Sequence, residues 1–224
     1  MRVYSLTRSK RKTLALYIRG GVLDVRAPLK MPVREIDKFI ALKEKWIAKK
    51  LATSQEQTKF RENFRLDYGD EILYLGEKQP IIVREGNRIG FDSGFYMPPS
   101  LSPEQIKSAC VQIYRLLAKR DITNRVIEFS KKMAVTPATV KINNAQSRWG
   151  SCSSKRSLNF SWRLIMADSV IVDYVVVHEL AHLAEMNHSK KFWAIVEKIL
   201  PDYKEREKRL RALNRRLSKE DWKC

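Results

Sequence analysis

Apolar residues recur along this chain with two different periods, and the changes of period mark its elements. Residues 3–28 read as short strands, with segments 13–19 and 22–27 flanking Gly20-Gly21, a pair suited to a two-residue hairpin turn. A β-meander is therefore predicted at the start. Residues 32–51 carry Ile36, Phe39, Ile40, Ile47 and Leu51, with Trp46 beside the stripe, which predicts a helix covering that sheet. A polar stretch, 52–63, follows without a stripe. Further short strands are expected at 71–75, 80–84 and 88–91, punctuated by Gly76, Gly86 and Gly94.

Pro98-Pro99 interrupts regular structure and divides the chain into an N-terminal α+β lobe, 1–100, and a second lobe, 101–224. Ser102 is the expected N-cap of a long helix running toward Met133, with Pro103 at the first helical position and Gln105 completing a capping box. Strands are expected at 140–143 and 158–162, with a hairpin turn at 153–157. Segment 169–186 is apolar at helical and continuous spacing alike, and its Val-rich first half would also suit a buried strand. The tail, 203–219, places Leu210, Leu213 and Leu217 opposite many Lys and Arg, so an amphipathic helix docked on the second lobe is expected.

Composition narrows the class. An even balance of apolar and polar residues over 224 positions excludes collagen-like, mucin-like and disordered chains. Three cysteines, Cys110, Cys152 and Cys224, form neither a CxxC pair nor a disulfide framework, which suits a reducing cytoplasm. The basic N-terminus lacks the apolar stretch of a secretory signal. The longest apolar run, 170–177, is interrupted by Asp173 and falls short of the ~20 residues that span a bilayer, so no membrane partner is expected. The net charge is +19, and residues 1–50 hold 14 basic against 4 acidic groups, a polarity that attracts polyanions such as nucleic acid or nucleotides.

All three histidines fall within eleven residues, as His178-Glu179-xx-His182 followed by His188. On a helix, positions i and i+4 lie one turn apart on one face, so His178 and His182 can grip a single metal ion, and neutral imidazoles suit zinc. Glu179 points about 100° away around the helix, within reach of a water on the metal but outside the ligand set, the position of a general base. Either Glu185 or His188 could supply the third ligand. Glu185 on a straight helix would sit about 10 Å along the axis from His178, which favours His188, provided the chain turns back. Asn187 tolerates a left-handed conformation at that turn, and Ser189 can cap a new helix from Lys190. Glu185 is then a partner of the ligands or a solvated residue, and Arg148 a stabiliser of an oxyanion or phosphate, or a surface ion pair. Cys152 could close the site as a fourth ligand, although a small buried hydrophobe is the commoner role of a single cysteine.

The segments SRWGSCSS (147–154), DYVVVHELAH (173–182) and NHSKKFW (187–193) resemble the YgjP-like metallopeptidase-domain family, which is related to the SprT-like and WLM zinc proteases. Segments 11–18, 25–28 and 74–76 extend the likeness forward. The resemblance implies a zincin-like catalytic lobe with a HExxH active-site helix and a β-hairpin ahead of it. It further implies one zinc ion on His178, His182 and His188, with Glu179 as base. The spacing HExxHxxxxxH is also that of metzincins, but those carry Gly where this chain has Glu185, and no methionine follows Met186 to form a Met-turn.

Three functions follow as expectations. The first is a zinc-dependent metallopeptidase acting on a peptide or protein held along a strand edge. The second is a metal-dependent nucleoside triphosphate (UTP) pyrophosphatase, an activity associated with the family name, although neither GxxxxGK[ST] nor GxGxxG is present. The third is a DNA-associated protease or scaffold that uses the basic lobe.

Overall fold

The computed structural model describes residues 4–223; Val3, where the first strand is predicted to begin, and Cys224 lie outside the described residues. The chain is a mixed α+β protein with three small sheets and six α-helices among those residues. It divides into two compact units, Met1–Phe64 with Ser218–Asp221, and Arg65–Leu217 with Trp222–Cys224. Pro98-Pro99, the expected boundary, lies inside the second unit. There the strand before it and the long helix after it share one core, through the ring contact of Phe95 with Tyr114 at 4.8 Å.

In the first unit, β1 (Tyr4–Ser9), β2 (Ala15–Arg19) and β3 (Val22–Pro28) form a sheet in the order β1-β3-β2. Gly20 and Gly21 both have positive φ, 55° and 75°, and close the β2–β3 hairpin as expected. The meander is not formed: β1 runs parallel to β3 and lies on its far edge. β3 takes the centre because Leu23, Val25 and Ala27 are its buried alternate residues, whereas β1 and β2 have no buried position. Arg8 holds β1 there, donating to the carbonyls of Pro28, Leu29 and Met31 at 3.1, 3.1 and 2.7 Å. The expected single helix is two, α1 (Val33–Leu42) and α2 (Glu44–Glu62), with a break at Lys43. Ile36 and Ile40 before the break and Ile47 after it all join the core formed with β3. The polar stretch continues α2, because its Gln, Glu, Lys and Arg residues are good helix formers even without an apolar stripe.

In the second unit, β4 (Glu71–Tyr74), β5 (Glu77–Val83), β6 (Gly90–Phe91) and β7 (Phe95–Met97) make one sheet, β7 being a strand beyond the three expected there. Helix α3 (Pro103–Met133) starts with the expected capping box: the Ser102 hydroxyl accepts from Gln105 N at 3.4 Å, and Gln105 Oε1 accepts from Ser102 N at 2.8 Å. Tyr114 of α3 donates to the Leu73 carbonyl at 2.6 Å and stacks on Trp162 at 5.4 Å. β8 (Thr139–Asn143), β9 (Gly150–Cys152) and β10 (Ser157–Ser161) form the third sheet, in the order β8-β10-β9. Trp162, expected to end β10, instead opens a 3₁₀ turn. Helix α4 (Ser169–Ala181) follows, buried at nine of its thirteen positions, and then α5 (Lys190–Ile199) and α6 (Tyr203–Leu217). The Val-rich segment is thus a helix, apolar all round because α3, α5, α6 and β9 pack on it from several sides. No helix of the described residues is long and apolar enough to cross a membrane.

Candidate metal centre

The last turn of α4 presents His178 and Glu179, and His182 is its C-cap. The chain then tightens and turns, with Leu183 N donating to the Leu180 carbonyl at 3.0 Å, Ala184 N to the Ala181 carbonyl at 3.1 Å, and Ser189 N to the Asn187 carbonyl at 2.7 Å. Asn187 turns without entering the left-handed region, which among the described non-glycine residues holds only Leu75, Ser100, Ala134 and Arg156. Ser189 caps α5, its hydroxyl accepting from Phe192 N at 3.3 Å. This reversal carries His188 back over α4.

Ligand-capable atoms of His178, His182 and His188 lie within 4.8 Å of one another. The Nε2 atoms of His178 and His188 face each other at 3.0 Å, a separation at which only one can carry a hydrogen, so at least one ring offers a bare lone pair. Two nitrogens on one tetrahedral ion of Zn–N length ~2.0–2.1 Å would stand about 3.3 Å apart. His182 Nδ1 donates to the Glu185 carbonyl at 3.2 Å, which leaves its Nε2 as acceptor. Burial, helped by the two neighbouring rings, pushes His178 down to about 3, and its Nδ1 is buried without a hydrogen-bond partner. Converging imidazoles of this kind fit a divalent ion of the sort nitrogen ligands accept.

Glu185 therefore contributes through its main chain. Cys152 stands outside the ligand cluster, its thiol 3.5 Å from the Ser153 carbonyl and raised in pKa by burial and by Glu179. Glu179 is 6 % exposed, and burial pushes it up to about 7 against the lowering influence of Arg148, which is itself exposed.

Three residues complete the site that the histidine pattern did not single out. Phe192 is fully buried and touches all three imidazoles, with ring centroids 4.9, 4.5 and 4.8 Å from His178, His182 and His188. Trp193 stacks on His188 at 5.8 Å and on Tyr203 at 5.2 Å. Gly150 brings the β9 backbone against Glu179: an added Cβ would lie 2.5 Å from Oε1 and 2.6 Å from Cγ. A glycine inside a strand is the sequence signal of such an approach. Arg156, in the β9–β10 turn, donates to the Leu183 carbonyl at 3.3 Å and so ties that hairpin to the segment following α4.

β9 is an edge strand and lies against α4, so among the described residues no strand pairs with its outer side. An open cavity of about 550 Å³ adjoins it, with His178, Glu179, Ser147, Trp149, Tyr174 and Val175 among its lining. Phe160 and Trp162 are core, whereas Trp149 is only half-buried and lines the cavity.

The family model described as YgjP-like, metallopeptidase domain, matches residues 12–213. No curated protein matches the chain. Among solved structures, the metallopeptidase zymogen abylysin of Pyrococcus abyssi is 23 % identical, covering 40 % of this chain and 90 % of its own, with a TM-score of 0.38. The zymogen jannalysin of Methanocaldococcus jannaschii is 22 % identical, covering 40 % and 93 %, with a TM-score of 0.37.

Proposed function

The chain belongs to the YgjP-like metallopeptidase-domain family, and from that premise we propose that it is a zinc-dependent peptidase with a zincin-like second lobe. His178, His182 and His188 hold one zinc ion, and Glu179 is the general base. One observation carries this reading: three imidazoles converge beside a buried carboxylate, and one of them, His178, lines an open cleft together with that carboxylate, next to an edge strand. Bound zinc supplies Lewis acidity, polarising an oxygen and making water acidic near neutral pH.

The chain's own residues do the rest. An extended peptide pairs with the open edge of β9, which sets the scissile carbonyl above the histidines. Glu179, held by the β9 backbone on one side and its own helix on the other, takes one proton from the attacking water. The water oxygen bonds to the carbonyl carbon, the C–N bond breaks, and Glu179 passes the proton to the departing amine. Phe192 and Trp193 keep the imidazoles from turning away, so the ligand set needs little reordering when the ion binds.

The test is mass spectrometry of zinc-loaded protein and its Glu179→Gln variant, each incubated with unfolded protein and nucleoside triphosphates. Peptide cuts made by the wild type and reduced by roughly 10²–10⁴-fold in the variant are expected. Glu179-dependent loss of a triphosphate with peptides intact would overturn the reading in favour of phosphoanhydride hydrolysis.

A further inference from the structure

The cavity that opens on His178 and Glu179 has a second wall, made by α6. Glu207, Leu210, Arg211, Asn214 and Arg215 line it, spaced three, four, seven and eight residues from the first, which is a single helix face. The same helix is fixed from its other sides. Arg206 donates to the Val170 carbonyl at 2.9 Å, Arg209 pairs with Asp168, and Leu217 is buried. The face is therefore presented to the cleft on a rigid support, and one substrate would meet both the reacting groups and α6.

Its chemistry is uneven. Trp149, Tyr174, Val175 and Leu210 make an apolar section, while Arg211 and Arg215, one turn apart, put two guanidinium groups on the α6 side. Glu207 accepts from Arg211 Nη2 at 2.6 Å, which orients the guanidinium and leaves further N–H donors on its fork. The Arg211 side chain is 70 % exposed, so those donors meet incoming solute. The remaining carboxylate of the lining, Glu179, is nearly buried and belongs to the reacting end.

We propose that this face of α6 is a specificity subsite that reads a carboxylate of the bound peptide, an acidic side chain or a free C-terminus, through Arg211 and Arg215. The inference rests on the peptidase reading, in which the cleft holds a peptide. Planar guanidinium forks match a carboxylate in pairs of parallel hydrogen bonds, and a cleft focuses their field on an approaching anion. The apolar section receives the methylene or neighbouring side-chain portion of the same residue. A cavity of about 550 Å³ has room for one large residue and part of the next.

The experiment compares fluorescent heptapeptides of one sequence in which a scanned position is Asp, Asn or Lys and the C-terminus is free or amidated. Binding is read by anisotropy on zinc-loaded Glu179→Gln protein, and cleavage on the otherwise wild-type chain. An acidic peptide should bind about tenfold more tightly than its amide counterpart, and Arg211→Gln with Arg215→Gln should reduce that ratio to within about twofold. Loss of the preference on amidation alone assigns the C-terminus, and its loss with Asp→Asn alone assigns a side chain. Arg211→Glu with Arg215→Glu should turn the preference toward the Lys peptide, a gain that an unfolded variant could not show. Equal affinity for acid and amide in the parent, or a preference that survives both Gln substitutions, would overturn the proposal. Absence of cleavage alongside an intact, arginine-dependent preference would instead remove the peptidase reading and leave the subsite standing.

Discussion

A hydrogen atom's replacement by a methyl group at Gly150 is the sharpest residue-scale probe of this site. The new Cβ would press on Glu179 Oε1, Cγ and Cδ at 2.5, 2.6 and 2.7 Å, and the carboxylate is the part free to move. Gly150→Ala should therefore rotate the proposed base out of line and reduce turnover about a hundredfold, while the histidines still bind one metal ion per chain. Turnover kinetics and elemental analysis on one preparation check it; unchanged turnover would mean that the carboxylate's position does not matter. The convergence of His178, His182 and His188 was legible in the sequence because one helical turn and one reversal bring them together within eleven positions. Gly150 and Arg156 were not, since each acts across the chain on a segment some 27 to 29 residues away, and only the sheet shows which backbone meets which side chain. Glu185 illustrates the opposite case: its carboxylate drew attention, yet its carbonyl makes the contact.

Elements announced by a local device were readable, and elements defined by a partner were not. Ser102, Pro103 and Gln105 place the start of α3 within a few bonds of themselves, and the structure shows that start with both reciprocal hydrogen bonds. By contrast, nothing in residues 4–9 says that β1 will lie parallel to β3, because the choice of edge depends on β3 being the strand with buried alternation and on Arg8 reaching three carbonyls beyond it. The α3 cap gives a prediction at this scale. Ser102→Ala removes the acceptor for Gln105 N at the head of a helix that carries much of the second unit's core. It should lower stability by about 1 kcal/mol. Urea titration should show a lower midpoint with an unchanged slope. An unchanged midpoint would mean that Pro103 and the packing of α3 fix its start without the cap.

Charge is the property that belongs to the whole molecule. The excess of +19 is concentrated toward the N-terminus, where residues 1–50 hold 14 basic and 4 acidic groups. Much of it stays on the surface of the first unit: Arg19 and Arg26 flank the Tyr17 ring at 5.3 and 5.2 Å and share Asp24 as their acidic partner. One carboxylate between two guanidinium groups leaves positive charge on that face. Polyanion binding of this origin is carried by counterion release, so it should be sequence-independent and steeply dependent on salt. For a contact with three phosphates of a DNA duplex, raising salt from ~50 to ~200 mM should weaken binding about fortyfold, and replacing Arg19 and Arg26 by Gln should flatten that dependence. Fluorescence anisotropy with two unrelated duplexes over a salt series measures both. A flat salt response, or no binding at low salt, would show that the charge serves solubility alone and would remove nucleic acid as a partner, without touching the chemistry assigned to His178, Glu179, His182 and His188.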